Sequence, residues 1–293
     1  MHHVPYLFCE TVSGLLPKLI NLTSTDFLPR IWNYAINEWT ERLILVNISI
    51  TENSNGWFYS ILGQDSPKTP KLDDLIKMDM RYLRIGSLTV TSHLDPLKSE
   101  SLSDQDLQEK LLPLIKLRTC DHAVFILHGP CSGFAAISKQ LATVSQFKIL
   151  GLDYNGSETV AFLKQKLRNG FNCHLNLSGS WPASTKALLI NAVQCRKLMS
   201  ADLNFSNLTI SVDLVKAICE QWISSHETLK IDFTGQEDLN KEELKVICPG
   251  LKSVNCDKLS LSSPNDSLVF DFSVSPVNNF VSSCDNFVRI YTE

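Results

Sequence analysis

The sequence predicts an α/β solenoid of stacked strand-helix units, with a parallel sheet on the concave face, helices on the convex face and a small helical module at the N-terminus. Three observations carry this reading. The phrases Leu175-Asn176-Leu177-Ser178, Leu203-Asn204-Phe205-Ser206 and Ile231-Asp232-Phe233-Thr234 repeat one pattern of apolar, Asn or Asp, apolar, hydroxyl at an interval of 28 residues. Helical patterns fill the gaps: Leu214, Val215, Ile218 and Trp222 recur at helical spacing, and Ala187 and Ile190 stand 28 residues before Val215 and Ile218. A unit of this length cannot bury its apolar side alone, so neighbours must stack.

Residues 1–42 are helical in tendency, with Val4, Phe8, Val12, Leu15, Leu16 and Leu19 on one pattern and Phe27, Ile31, Trp32, Ala35 and Trp39 on another. Pro17 and Pro29 divide them into short helices. The period then changes to that of a hairpin: a strand from Leu43 to Ile50, a polar turn over 51–56 and a second strand from Trp57 to Leu62. A short helix follows around 72–80, a strand over 82–91, and a helix capped by Ser103 or Asp104 that carries Leu107, Leu111 and Leu114. Residues 43–120 thus form an irregular start to the array.

The regular part spans 121–257. Its strands are expected at Phe125-Ile126-Leu127, Leu150 to Asp153, the three phrases, and Val254-Asn255-Cys256, at intervals of 25, 25, 28, 28 and 23. Helices are expected at 134–144, 158–168, 184–197, 212–223 and 241–247, with Pro249-Gly250 stopping the last. Residues 258–293, with strands near 268–272 and 287–291, read as a cap over the last sheet edge.

Composition narrows the function. The 293 residues are 44% hydrophobic and 20% charged, with a net charge of −4. Lysines and arginines are scattered along the chain, so the sequence shows no patch for nucleic acid. The nine cysteines lie at irregular spacing without a CxxC pair, and several sit in apolar runs, which points to free thiols in a reducing compartment. The first fifteen residues hold no Lys or Arg and are broken by Pro5, Glu10 and Ser13, so neither a secretory signal nor a spanning helix is expected. The expected location is intracellular, cytoplasmic or nuclear. Sequons such as Asn21-Leu22-Thr23, Asn47-Ile48-Ser49 and Asn204-Phe205-Ser206 lack that secretory context. No Cys or His pair has metal-ligand spacing, and no cofactor is implied.

The repeat resembles the leucine-rich repeat in its ribonuclease-inhibitor-like form, whose template Leu198, Ala201, Leu203, Ser206 and Leu208 follow in order. The resemblance implies a buried Ser206 bonded to loop backbone. Gly170 and His226 depart from the template in the flanking units, and a frame with Phe205 inward is left open. The N-terminus resembles a divergent F-box: Val4-Pro5 opens it, Phe8, Val12, Leu15 and Leu16 form its first apolar face, and Trp32 and Trp39 close it. The opening Val4-Pro5-Tyr6-Leu7-Phe8-Cys9-Glu10 is similar to that of a large family of roundworm proteins. This resemblance implies a substrate-recognition subunit of an SCF-type ubiquitin ligase, binding its adaptor through Pro5, Phe8, Leu15 and Trp32. A helical cap over the first repeat is the alternative for 1–42.

Strand alternation puts His174, Asn176, Asp202, Asn204, Lys230 and Asp232 on the sheet face opposite the buried residues. Their mixed charges and amides suit a protein or peptide partner. The turn His128-Gly129-Pro130-Cys131-Ser132-Gly133 offers an imidazole and a thiol between a strand and a helix. It lacks the Lys-Ser or Lys-Thr of a phosphate loop and the Arg of a cysteine phosphatase, so a glycine turn within a repeat accounts for it. Three functions remain: a ligase substrate receptor, a free-standing repeat protein that binds a partner, and an enzyme built on Cys131.

Overall fold

The computed structural model describes residues 30–63, 70–92, 99–145, 147–169, 173–224, 231–238, 252–253, 258–262, 267–274 and 286–292, with Tyr6, Phe8, Cys9, Val12, Leu244, Val246 and Ile247. It divides into two units, Met1–Val124 and Phe125–Glu293.

In the first unit, α1 (Arg30–Arg42) buries Ala35, Ile36 and Trp39, a spacing that gathers them on one helix face. Strands β1 (Ile44–Asn53) and β2 (Gly56–Gly63) form an antiparallel hairpin closed by Ser54-Asn55, with Asn53 opposite Gly56. Alternation supplies the core: Val46, Ile48 and Ile50 on β1 and Trp57, Tyr59 and Ile61 on β2 are buried. β3 (Leu83–Thr91) runs parallel to β1 with a bulge at Gly86, and β4 (Glu100–Leu102) pairs antiparallel with β2, giving the order β4-β2-β1-β3. A side chain on Gly86 would meet Leu45 Cδ1 at 3.2 Å, which the bare α-carbon avoids.

The Tyr59 hydroxyl ties three elements together. It donates to Glu100 Oε2 at 2.8 Å and accepts from the Leu72 N–H at 3.1 Å, where α2 (Leu72–Lys77) begins. Ser103 caps α3 (Asp104–Asp106) by accepting from the Asp106 N–H at 3.0 Å. A π-helical turn (Leu107–Leu111) then leads into α4 (Leu112–Arg118), and β5 (Thr119–His128) carries the chain into the second unit.

There strands and helices alternate: α5 (Phe134–Leu141), β6 (Phe147–Asp153), α6 (Ser157–Arg168), β7 (Cys173–Gly179), α7 (Ser184–Gln194), β8 (Leu198–Ser206), β9 (Thr209–Ser211), α8 (Val212–Ser224) and β10 (Asp232–Asp238). Strands β6, β7, β8 and β10 pair in parallel, in that order, and β9 pairs parallel with β10. The fold is therefore mixed α/β, with parallel strands and helices in alternation. Beyond β10 the pairing is antiparallel, in the order β14 (Asn286–Thr292), β13 (Ser267–Val274), β12 (Lys258–Ser262), β11 (Lys252–Ser253). The place beside β10, expected for 254–256, belongs to the last strand of the chain. Val254 to Cys256 and the Pro249-Gly250 stop lie outside the described residues.

The ladder corrects the 28-residue register. Leu150 stands opposite Leu175, as the 25-residue interval predicts, but Leu175 stands opposite Ala201 and Phe233 also opposite Ala201. The second phrase has slipped two residues against the first, and the third has slipped four against the second. An even slip keeps every side chain on its own face, so Leu175, Leu177, Ala201, Leu203, Ile231 and Phe233 are all buried despite the shifts. A bulge in β8 sets Leu203 and Asn204 against Leu177 alone, which turns Phe205 outward and Ser206 inward.

Phe125, Phe134, Phe147 and Phe162 form an aromatic core, with Phe125 centred 5.2 Å from Phe147 and 5.3 Å from Phe162. Helix ends are closed from the following unit. Lys166 Nζ donates to Leu141 O at 2.7 Å and to Val144 O, Asn169 Nδ2 to Ala142 O at 3.4 Å, and Lys197 Nζ to Arg168 O at 2.7 Å. Helix α7 stops at Gln194, short of the expected Lys197, because Arg196 adopts φ 56° and the N–H groups of Arg196 and Lys197 fold back on Val193 O and Ala192 O.

Candidate functional site

The outward face of the parallel strands in the second unit is built row by row. One row sets Ile149, His174, Ser200 and Asp232 side by side, and the next Gly151, Asn176, Asp202 and Thr234. The structure thus brings His174, Asn176, Asp202 and Asp232 onto one surface, though His174 lies opposite Ser200 rather than Asp202. Its Nδ1 bonds the Ser200 hydroxyl. Asp202 Oδ1 accepts from the Asn204 N–H at 3.0 Å, while Asn204 Oδ1 is buried without a hydrogen-bond partner among the described residues. Asn176 is exposed. Lys230 lies outside the described residues.

A third row, at the C-terminal ends of the strands, was not singled out by the sequence. Asp153 Oδ2 accepts from the Gly129 N–H at 2.7 Å and lies 3.0 Å from His128 Nδ1, and Asp153 Oδ1 accepts from the Ser178 hydroxyl. Partial burial pushes the Asp153 carboxyl up, but the bonds from Ser178 and Gly129 and the charge of His128 together hold it below the usual carboxylate range. Phe205, opposite Ser178 in the ladder, is 78% exposed. Behind this row, asparagine side chains tie two of the strand-to-helix turns to the one before. Asn155 Nδ2 donates to Cys131 O at 2.6 Å, and Asn207 accepts from the Trp181 N–H at 2.8 Å while donating to Trp181 O at 3.0 Å. The available signal was an Asn two residues past Asp153 and one past Ser206, each just beyond a buried strand run.

The Cys131 turn is closed by backbone. Gly129 takes φ 69°, the left-handed conformation that favours glycine, and Cys131 is only 2% exposed. His128 Nδ1 faces the Asp153 carboxylate. Among the described residues no three His, Cys, Asp or Glu side chains form a metal-binding group, and no helix is long and apolar enough to cross a membrane.

In the first unit, Phe8 is 53% exposed and meets Trp32 edge-on at 6.2 Å, and Tyr6 lies 5.7 Å from an exposed Tyr34. Trp32 is half-buried. Pro5 and Leu15 lie outside the described residues. Comparison with protein families, curated proteins and solved structures finds no match for this chain.

Proposed function

We propose that the protein is a non-enzymatic, leucine-rich-repeat-like solenoid that holds a protein partner on the outward face of its parallel sheet. The observation that carries this reading is the burial pattern of one unit. Leu198, Ala201, Leu203, Ser206 and Leu208, the residues of the template, are all buried, and Ser206 Oγ bonds Leu203 O at 2.9 Å and the Leu208 N–H at 3.2 Å. Opposite them stands a polar surface of His, Asn, Asp, Ser and Thr in register, which supplies directional bonds.

Within this reading the N-terminal segment is a divergent F-box, and the chain is the substrate-recognition subunit of an SCF-type ubiquitin ligase. The partly exposed Phe8 and Trp32 favour this over a cap, which would bury both. The test is co-purification of the full chain with the ligase adaptor at micromolar concentration. A complex that Phe8→Ala and Trp32→Ala weaken is expected. Separate elution of the two proteins would sink the ligase role and leave a free-standing repeat protein.

A further inference from the structure

The bulge in β8 presents an aromatic ring on the outward face of the second unit. Leu203 and Asn204 together oppose Leu177, and the extra residue turns Phe205 away from the core, where it is 78% exposed. Without the bulge, the alternation that buries Ala201 and Leu203 would bury Phe205 as well. Exposure forgoes the burial energy of a phenyl ring, which contact with a partner restores.

The ladder fixes what surrounds the ring. Ser178 stands opposite Phe205 and Asn176 opposite Asp202, so these four residues mark the corners of one patch on two strands about 4.8 Å apart. Asp202 and Phe205 are separated by at most about 10 Å of strand. Asp202 accepts from the Asn204 N–H at 3.0 Å and makes no salt bridge among the described residues. Asn176 is exposed, and its amide makes no hydrogen bond among the described residues. The next carboxylate, Asp153, is already answered by His128, the Gly129 N–H and the Ser178 hydroxyl. In the ladder Arg289 stands opposite Thr234, and Thr234 opposite Asp202, which places Arg289 two strand spacings, about 9.6 Å, from Asp202. One carboxylate and one exposed ring therefore share a patch with an amide that has bonds to spare.

We propose that this patch is the anchor of the partner surface and that it receives an arginine side chain of a protein partner. A guanidinium is planar and weakly hydrated, so it stacks on the Phe205 ring while its fork meets the Asp202 carboxylate. The Asn176 amide oxygen accepts a further N–H. Ser178, its hydroxyl committed to Asp153, closes the patch beside the ring. An acidic segment would bring its charge against Asp202 and is selected against. The assignment rests on the reading of this face as the partner surface and names the chemistry that the face selects.

The test selects a library of random peptides against the immobilised full chain at neutral pH, and the tightest peptide is then titrated in solution. Enrichment of arginine at one position of the bound peptides is expected. Exchanging that arginine for citrulline, which keeps the shape and loses the charge, should weaken binding by about tenfold or more. Asp202→Asn and Phe205→Leu should each weaken it by about tenfold while Tm stays at the parent value, because both side chains face outward. Citrulline exchange alters the peptide alone, so its result stands whatever the variants do to folding. A peptide that Asp202→Asn releases but citrulline exchange does not affect overturns the arginine assignment and leaves the partner surface standing. Binders that Asp202→Asn, Phe205→Leu and Thr234→Ala all leave unchanged remove the partner surface itself. A library that yields no arginine-dependent binder overturns the proposal.

Discussion

Replacing Lys166 with Met tests the claim that each unit is locked to the next by side chains closing helix ends. Lys166 is 1% exposed, and its ammonium donates to Leu141 O and Val144 O at the end of α5 while lying 4.9 Å from the Phe147 ring centre and 5.2 Å from that of Phe162. Two opposing effects decide the outcome. Removing the charge relieves a desolvation cost of several kcal/mol, as a rough figure. It also removes two bonds from a charged donor, worth about 1.5–3 kcal/mol each, and strands two carbonyl oxygens in the core. Methionine keeps the chain length and part of the ring contact through its sulfur. The bonds win on this arithmetic, with an expected net loss of about 2–3 kcal/mol for Lys166→Met. Lys166→Ala should lose about 1–2 kcal/mol more, because a cavity opens against the rings. The assay is urea unfolding followed by circular dichroism, with the shift read at the midpoint and an unchanged slope. A Lys166→Met protein as stable as the parent, or more so, would show that desolvation dominates and would refute the locking argument.

Three further expectations concern single groups. Burial and the bond to Glu100 push the Tyr59 hydroxyl from 10.0 up to about 12 against the opposing Leu72 N–H, so its contribution to stability is complete below about pH 10 and lost as pH rises towards 12. Tyr59→Phe should cost about 1–2 kcal/mol at neutral pH and flatten that alkaline limb, read as Tm against pH. The lowered Asp153 carboxyl contributes stability above its ordinary value of 3.8 that disappears as pH falls through the lower folded value. Asp153→Asn should weaken the acid dependence, and an unchanged acid limb would remove Asp153 as its cause. On the native protein, an alkylating reagent should modify the exposed Cys195 well before the buried Cys131, and the reverse order, read by mass spectrometry, would revive an enzyme built on that turn.

Much of the second unit was legible because its signals are local. Apolar alternation in Leu175 to Leu177 and in Ala201 to Leu203 dictates which residues face the core, and the helical spacing of Leu214, Val215, Ile218 and Trp222 dictates α8. The candidate surface followed from the same alternation, which is why His174, Asn176, Asp202 and Asp232 share a face even though their register was wrong. Burial constrains a strand only to within an even shift, so the face survives an error that the pairing does not.

What the sequence determined by itself is thus the main strands and helices from β5 to α8 and the inward side of each, because both rest on periodicities carried by neighbouring residues. Tertiary structure decided the rest. The bulge that turns Phe205 out, the insertion of β14 beside β10 and the grip of Lys166 on α5 all join residues remote in the chain. Such contacts depend on which strand edge or helix end is left unsatisfied once the units stack, and no local pattern records that.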